Sequence, residues 1–418
     1  MKIAIVGTGI SGNVIAGRLH PHHEIVVFEA NRQIGGHTRT VTVSAFGREY
    51  DVDTGFMVFN ERTYPHFCKL LQTLNCQAQD AEMSFSVRCD MSNLEYQGGS
   101  LRGLFAQRSN FLRLRFFRML WDILRFNRVA DTLIEKSYES VSLREVLRQF
   151  PSGEWFLEKY LIPMTAAIWS CPPGRIKDFP ARFLLEFLRN HGLLQFSDRP
   201  TWKTVRGSAR RYVEKLTAPF RDRIRTDCAV ESVRRFSDHV ELRTKYFGAE
   251  KFDRIIFACH ADQTLAILKD ADPAERDVLS AFPYRENLAV MHTDTSILPR
   301  RVRAWANWNY RIYPQPDRVV TVTYDLSRLQ KLDTPTPILL TLNDDSGIDP
   351  SKVLDRNVFR HPAFTTDSTP AQNRIDEISH RRRTYFCGAY WGYGFHEDGV
   401  NSALAVAKYF GMGSDDGK

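Results

Sequence analysis

The chain opens with KIAIVGTGISGNVIAG (2–17) and continues a few residues later with VVFEANRQIGGHTRT (26–40). KIAIVG is a short apolar run with β-branched residues, the pattern of a strand buried on both faces. GNVIAGRL suits a helix and HEIVVFEA a second buried strand. The opening is therefore a βαβ unit of a doubly wound α/β fold. Gly7, Gly9 and Gly12 stand between the first strand and the helix, the context that a GxGxxG fingerprint needs. Gly7 permits the tight turn, Gly9 lets the backbone approach a pyrophosphate, and Gly12 permits close helix–strand packing. The helix start then offers free N–H groups and a positive dipole end to phosphates. Glu29 ends the second strand, where a carboxylate accepts hydrogen bonds from a ribose diol and repels a 2′-phosphate. Gly35 and Gly36 follow, a pair that can bring backbone N–H groups to the other side of the pyrophosphate.

The 418 residues exceed what one simple core needs, and two interleaved domains are expected. Hydrophobic residues make up 43% and charged residues 25%, as in ordinary globular chains. No apolar run reaches the ~18 residues of a membrane span, and the N-terminus enters a strand with no secretory signal pattern. The seven cysteines are scattered without a CxxC, which argues against a disulfide framework and against a zinc site. A reduced, cytoplasmic setting is the expectation. HPHHE (20–24) reads as a solvated connection and HTD (292–294) is no metal motif.

TVTVSAFGREYDVD (40–53) reads as two strands around a Phe-Gly turn, and SFSVRCDMSNLEYQGG (84–99) as a further hairpin. From about 100 to 220 the pattern becomes helical, with breaks expected at Pro151, Pro163 and CPPGR (171–175). Strands return at 223–245 and 251–259, then at 287–294, 303–313 and 318–326. The end is a strand, a glycine- and aromatic-rich loop and a small-residue helix expected to begin near Gly399–Asn401, followed by a polar tail expected to be disordered. The expected division is 1–82, 201–265 and 381–412 for a nucleotide-binding unit, 83–200 and 266–380 for a substrate unit, and 413–418 for the tail.

The combination of GxGxxG, Glu29, GGHTRT (35–40), DVDTGF (51–56) and YFCGAYWGYGFHEDGVNSALAVA (385–407) resembles the flavin amine oxidase superfamily. That group includes amine oxidases, protoporphyrinogen oxidase, carotenoid desaturases and UDP-galactopyranose mutase. CAVESVRR (228–235) resembles its adenine-flanking strand, and TVRGSARRYVEKL (204–216) the segment before it. LIPMTAAIWS (161–170), FLRNHGLLQF (187–196), AWANWNY (304–310) and GFHEDGVNSAL (394–404) resemble a bacterial branch of FAD/NAD-binding oxidoreductases found beside cyclopropane-fatty-acid-synthase-like methyltransferases. The resemblance implies an FAD-binding domain interleaved with an α+β substrate domain. It implies FAD contacts at Gly7, Gly9, Ser11, Gly12, Glu29, Ala30, Gly35, Gly36, His37, Thr38, Gly55, Phe56, Met57, Val230, Gly388, Ala389, Gly399, Val400 and Asn401. His396 or Phe395 would fall on the substrate side of the flavin as the catalytic candidates, a histidine there serving as a general base or as a wall, with Trp169, Trp391 and Tyr393 as candidate cavity-lining residues.

Three departures from the superfamily pattern stand out. His37 replaces an arginine after the Gly-Gly pair, Ala389 replaces an acid after the strand glycine, and YRENLAVMHTDTSILP (284–299) lacks the lysine that amine oxidases place near the flavin. The last counts against amine oxidation. The resemblance thus implies hydride transfer at a C–C bond of a hydrophobic, fatty-acyl type of substrate. Oxidation of a C–N bond, a non-redox mutase and a binding protein that has lost its redox role are the alternatives. There is no second GxGxxG for a nicotinamide donor.

The net charge is 57 − 49 = +8. QRSNFLRLRFFRMLWDILRFNR (107–128) holds six arginines against one aspartate. On a helical wheel Leu112, Phe116, Met119, Leu120, Ile123 and Leu124 share one arc, with Arg113, Arg118, Arg125 and Arg128 opposite. Two readings stay open: a half-buried substrate-domain helix, or a membrane-surface helix suited to a lipid substrate. No recognition motif accompanies the charge, so nucleic acid is not an expected partner.

Overall fold

The computed structural model describes residues 1–137, 141–195, 198–314 and 321–413. The expectations placed on 318–320 and on the tail from 414 onward fall outside these residues. β1 (Lys2–Val6), α1 (Ile10–Leu19) and β2 (Glu24–Phe28) form the expected βαβ unit. β1 is central in a five-stranded parallel sheet, flanked by β2 and then Ile224–Arg225 on one side, and by Arg254–Phe257 and Thr384–Phe386 on the other. Both faces are covered, which is why β1 is apolar and buried from Ile3 to Val6 rather than alternating. Ile3 and Ile5 pack with Ile25, Val14 of α1 and Val400 and Ala403 of the last helix, whereas Ala4 and Val6 pack with Phe28, Val233 and Phe257.

A second, seven-stranded sheet runs Val353–Pro362, Tyr284–His292, Leu339–Leu342, Thr321–Asp325, Trp308–Ile312, Phe85–Cys89, Leu94–Gln97. Its apolar face and the helices of 114–190 share the largest core of the molecule, which includes Phe116, Phe126, Phe156, Leu184 and Tyr324. The hairpin Thr40–Ala45/Arg48–Asp53 turns at Phe46 and Gly47, both with positive φ. Trp202–Val205 forms a strand inside the region read as helical, pairing with Phe59–Asn60 and Ala78–Asp80.

Pro163 does not break its helix. The backbone winds from Glu154 to Trp169 with a π-helical stretch at Leu157–Leu161. A proline cannot donate to the carbonyl four residues back, here that of Lys159, and the Tyr96 hydroxyl donates to this oxygen instead at 2.6 Å. A residue 67 positions upstream thus satisfies the acceptor that the proline frees, which is why local reading places a break there.

Two further expectations need correction. The last helix begins at His396, three residues before Gly399. Gly399 and Val400 therefore lie inside the helix, and Asn401 is exposed on it. The amphipathic arc at 107–128 is also different. The helix Leu114–Lys136 buries Phe116, Met119, Ile123 and Phe126, but Leu112 and Leu124 are exposed. The core selects the face that meets strand Leu94–Gln97 and the helix Ala181–Asn190, and a wheel built on apolarity alone cannot see that neighbour.

Candidate active site

The glycine turn is built by contacts that exclude side chains. Gly7 has φ +106° and donates its N–H to Phe28 O at 2.8 Å. A Cβ on Gly12 would lie 2.0 Å from Gly7 O, so only glycine lets α1 start there. Gly9 is different, because a Cβ there would meet nothing within 4 Å. It caps α1 with no side-chain acceptor for the first N–H groups. Gly36, at φ +58°, brings its own backbone against Gly9, where a Cβ would come 2.9 Å from Gly9 Cα. Two glycine segments therefore border one open space with N–H groups free at the helix start, a cradle that fits a pyrophosphate.

Glu29 is fixed beside this turn. It accepts from Thr8 N–H (3.0 Å) and Thr8 Oγ1 (2.5 Å), and from Asn31 N–H (2.9 Å). β2 pairs with Ile224–Arg225, and Cys228 N–H donates to Glu29 O at 2.8 Å. The backbone leading into Val230 is thereby held alongside Glu29 and Ala30. The far end of the space is closed by the last helix. A Cβ on Gly399 would lie 2.6 Å from Ile10 Cγ2 and 3.2 Å from Ser11 Oγ, so Gly399 serves close packing of this helix on α1. Gly388 N–H donates to Ser402 Oγ at 2.9 Å, which ties the turn at Gly388–Ala389 to the same helix.

Three histidines from distant segments meet on one side. The His37 ring stacks on Phe359 (5.4 Å between centroids) and lies 5.3 Å from His361 and 5.8 Å from His260. His260 stacks on Tyr284 at 4.2 Å. Burial pushes His260 and His361 down to about 3, and lowers His37 as well, so all three rings are neutral at pH 7. His37 Nε2, His260 Nδ1 and Arg360 Nε are buried without a hydrogen-bond partner. Orphaned polar atoms of this kind call for a ligand or water, and a polar cofactor edge fits them. Only His37 was singled out from the sequence; His260 and His361 carry no local signal.

His396 and Phe395 face different surroundings. His396 Nε2 lies 2.9 Å from Tyr212 Oη and 3.0 Å from Thr38 Oγ1, and its ring stacks on Phe56 at 3.5 Å. Burial holds it well below its ordinary pKa. Its imidazole is thus a neutral, anchored wall, with Nε2 engaged by two hydroxyls. Gly55 belongs to the same corner, where a Cβ would strike His37 O at 2.0 Å. Met57 packs at the edge of the large core. Glu397 turns away to receive the N–H groups of His66 and Phe67, capping the helix Pro65–Thr73. Asp398 accepts from Phe395 N–H at 2.9 Å, and burial raises it to about 7.

Phe395 joins an aromatic wall. Trp169 donates Nε1–H to Tyr393 O at 3.0 Å and contacts Phe187 (4.6 Å) and Phe179 (5.0 Å). Phe183 meets Tyr393 at 4.6 Å, and Phe187 stacks on Phe395 at 5.1 Å. Trp169, Tyr393 and Phe395 are therefore brought together. Trp391 is not, because it packs on Phe282 and Tyr390 behind the five-stranded sheet. Phe183 and Phe187 were missed by sequence reading; their three-to-four-residue spacing looks like any buried helix face.

The βαβ unit, its parallel sheet and the open glycine turn at the start of α1 place the chain among α/β proteins of the nucleotide-binding type. More narrowly, the chain belongs to the family of flavin-containing amine oxidoreductases, whose sequence profile matches residues 10–293. It is an FAD-dependent oxidoreductase. Among solved structures it is similar to a CLA-producing fatty acid isomerase from P. acnes, with 13% identity, 98% of each chain covered and a TM-score of 0.71. Cyclohexylamine oxidase from Brevibacterium oxydans IH-35A is 14% identical over 98% of this chain and 99% of its own, with a TM-score of 0.70. Putrescine oxidase bound to putrescine is 13% identical over the same shares, also at 0.70. At these identities the likeness concerns the fold. A search of curated protein sequences finds no match.

Proposed function

We propose that the protein moves a hydride between FAD and a C–C bond of a hydrophobic, fatty-acyl type of small molecule. The observation that carries this is the wall of Trp169, Phe183, Phe187, Tyr393 and Phe395, built entirely from aromatic rings. Such a wall stabilises an alkyl chain by excluding water and orients it by shape. The fatty acid isomerase from P. acnes shares the architecture, which supports an acyl chain being accommodated in it.

In this reading residues 1–82, 201–265 and 381–412 hold FAD, residues 83–200 and 266–380 form the substrate unit, and 413–418 is a tail. The backbone at Gly7, Gly9, Ser11, Gly12, Gly35 and Gly36 takes the pyrophosphate, and Glu29 takes the ribose. His37, Thr38, Gly55, Phe56, Gly388 and Ala389 border the remaining length of the cofactor. FAD, when bound, supplies the hydride acceptor or donor. His396 orients and shields the site, since its Nε2 is already engaged by Tyr212 and Thr38.

Amine oxidation is the second reading, favoured by the family and by aromatic faces that attract a cation. Against it, the strand Tyr284–His292 carries no lysine. Anaerobic mixing of the yellow holoprotein with acyl lipids and with alkylamines tests both. Loss of the oxidised-flavin absorbance with an acyl lipid, or reoxidation of reduced flavin by an unsaturated one, is expected. Bleaching by amines alone would overturn the lipid reading.

A further inference from the structure

The helix Leu114–Lys136 buries one face in the core and leaves a second apolar stripe outside. Leu114, Phe117, Trp121 and Leu124 recur at intervals of three and four residues and are all exposed. Ahead of them, Leu101, Phe111 and Leu112 are also exposed, with Leu112 and Leu114 at 87% and 86%. Phe105 stacks on Phe111 at 3.9 Å and fixes this turn against the helix start. Beside it the short 3-10 turn Val302–Ala304 presents Val302, also exposed. The apolar side chains therefore project from three chain segments that lie next to one another.

Charge surrounds them with one sign. Between Tyr96 and Ala130 there are seven arginines and one acid, Asp122, which is buried and paired with Arg118 and Arg125. Among the described residues, Arg102, Arg108, Arg115 and Arg128 take part in no ion pair, and Arg303 takes part in none either. A cleft of ≈ 440 Å³ opens between the two turns, lined by Ala106, Arg108, Ser109, Arg301, Val302 and Arg303. Arg301 is anchored to Glu95 at 3.0 Å, so one guanidinium is fixed at the rim while Arg108 and Arg303 stay available for an anion.

We infer that this surface docks the protein on an anionic lipid bilayer. Leu112, Leu114, Phe117 and Trp121 enter the boundary between headgroups and acyl chains, and Arg108, Arg115 and Arg303 meet lipid phosphates. Protruding apolar side chains ringed by unpaired arginines match a deformable anionic interface. No described helix is long and apolar enough to cross a membrane, so the contact is at the surface. The face that the core buries, with Phe116, Met119 and Ile123, is the one a wheel of the sequence would have assigned to lipid.

The test is co-sedimentation of the full holoprotein with vesicles of phosphatidylcholine, alone or mixed with phosphatidylglycerol. It needs no turnover, so its outcome is independent of the substrate assignment. The protein is expected to bind the mixed vesicles and to be released by salt. Leu112→Ser with Leu114→Ser should lower the partition on mixed vesicles by about 100-fold, since each lost side chain weakens burial by about tenfold. Arg108→Gln with Arg303→Gln should remove the preference for phosphatidylglycerol. Flavin absorbance reports that each variant is folded. Failure to bind mixed vesicles at low salt, or wild-type partition of the leucine variant, would overturn the inference. So would a concentration-dependent dimer that the leucine variant abolishes, which would give the surface to a second copy of the chain.

Discussion

The glycine half of the site and the aromatic half are built on opposite principles. Around Gly7, Gly9, Gly12 and Gly36 the working surface is backbone, made by leaving side chains out. Around Trp169, Phe187 and Phe395 it is side chain, made by rings that arrive from segments more than 200 residues apart. The first kind of surface tolerates almost no added atom at some positions and has open space at others. The second tolerates a change of ring but not the loss of one, because close-packed interiors do not refill a large void.

That contrast can be broken, first, at Gly9. Gly9→Val adds atoms where the protein itself has nothing within 4 Å. The apo fold should keep its far-UV circular dichroism while the purified protein loses its yellow colour. A variant that still binds FAD tightly would place the pyrophosphate elsewhere. Gly12→Val, by contrast, meets Gly7 O at 2.0 Å and should fail to accumulate as folded protein.

Next in size is Phe187→Ala. The ring is buried between Trp169, His191 and Phe395. Its loss should cost about 3–5 kcal/mol in urea unfolding, while the FAD content of the folded fraction stays near one per chain. If flavin is lost in parallel, the two halves are coupled more tightly than their separate construction implies.

The smallest effect is a pH slope. His260 and His361 are held at about 3 in the folded protein, against about 6.5 in the unfolded chain. Between those values the unfolded state binds more protons, so stability falls as the pH drops from about 6.5 towards 3 and is fully retained above 6.5. His260→Gln with His361→Gln should flatten the difference in urea midpoint between pH 7.5 and pH 5. An unchanged slope would mean that the rings are protonated freely in the folded state.

Legibility in the sequence follows the same division. The βαβ opening, the Phe46-Gly47 hairpin and the strands of 223–259 were readable, since each depends on residues within a few positions of one another. Pro163 misled because its freed carbonyl is satisfied by Tyr96, far upstream. The start of the last helix was placed late because Gly399, whose missing side chain lets the helix pack closely on Ile10 and Ser11, looks locally like a helix boundary. Trp391 carries the same composition signal as Tyr393 two residues on, yet Trp391 closes the 3-10 turn Ala389–Trp391 and packs on Phe282, whereas Tyr393 meets Phe183 in another core.

By itself the sequence determined an α/β chain opening on a βαβ unit and, through its spaced glycines, the tight turn between β1 and α1. Local sterics suffice for that, because a Cβ either fits a turn or does not. Which histidines share a wall, which aromatic rings pack together and which face of Leu114–Lys136 meets solvent were decided only in the tertiary structure. Those choices depend on what lies opposite, and burial against a distant neighbour leaves no periodicity of its own in the chain.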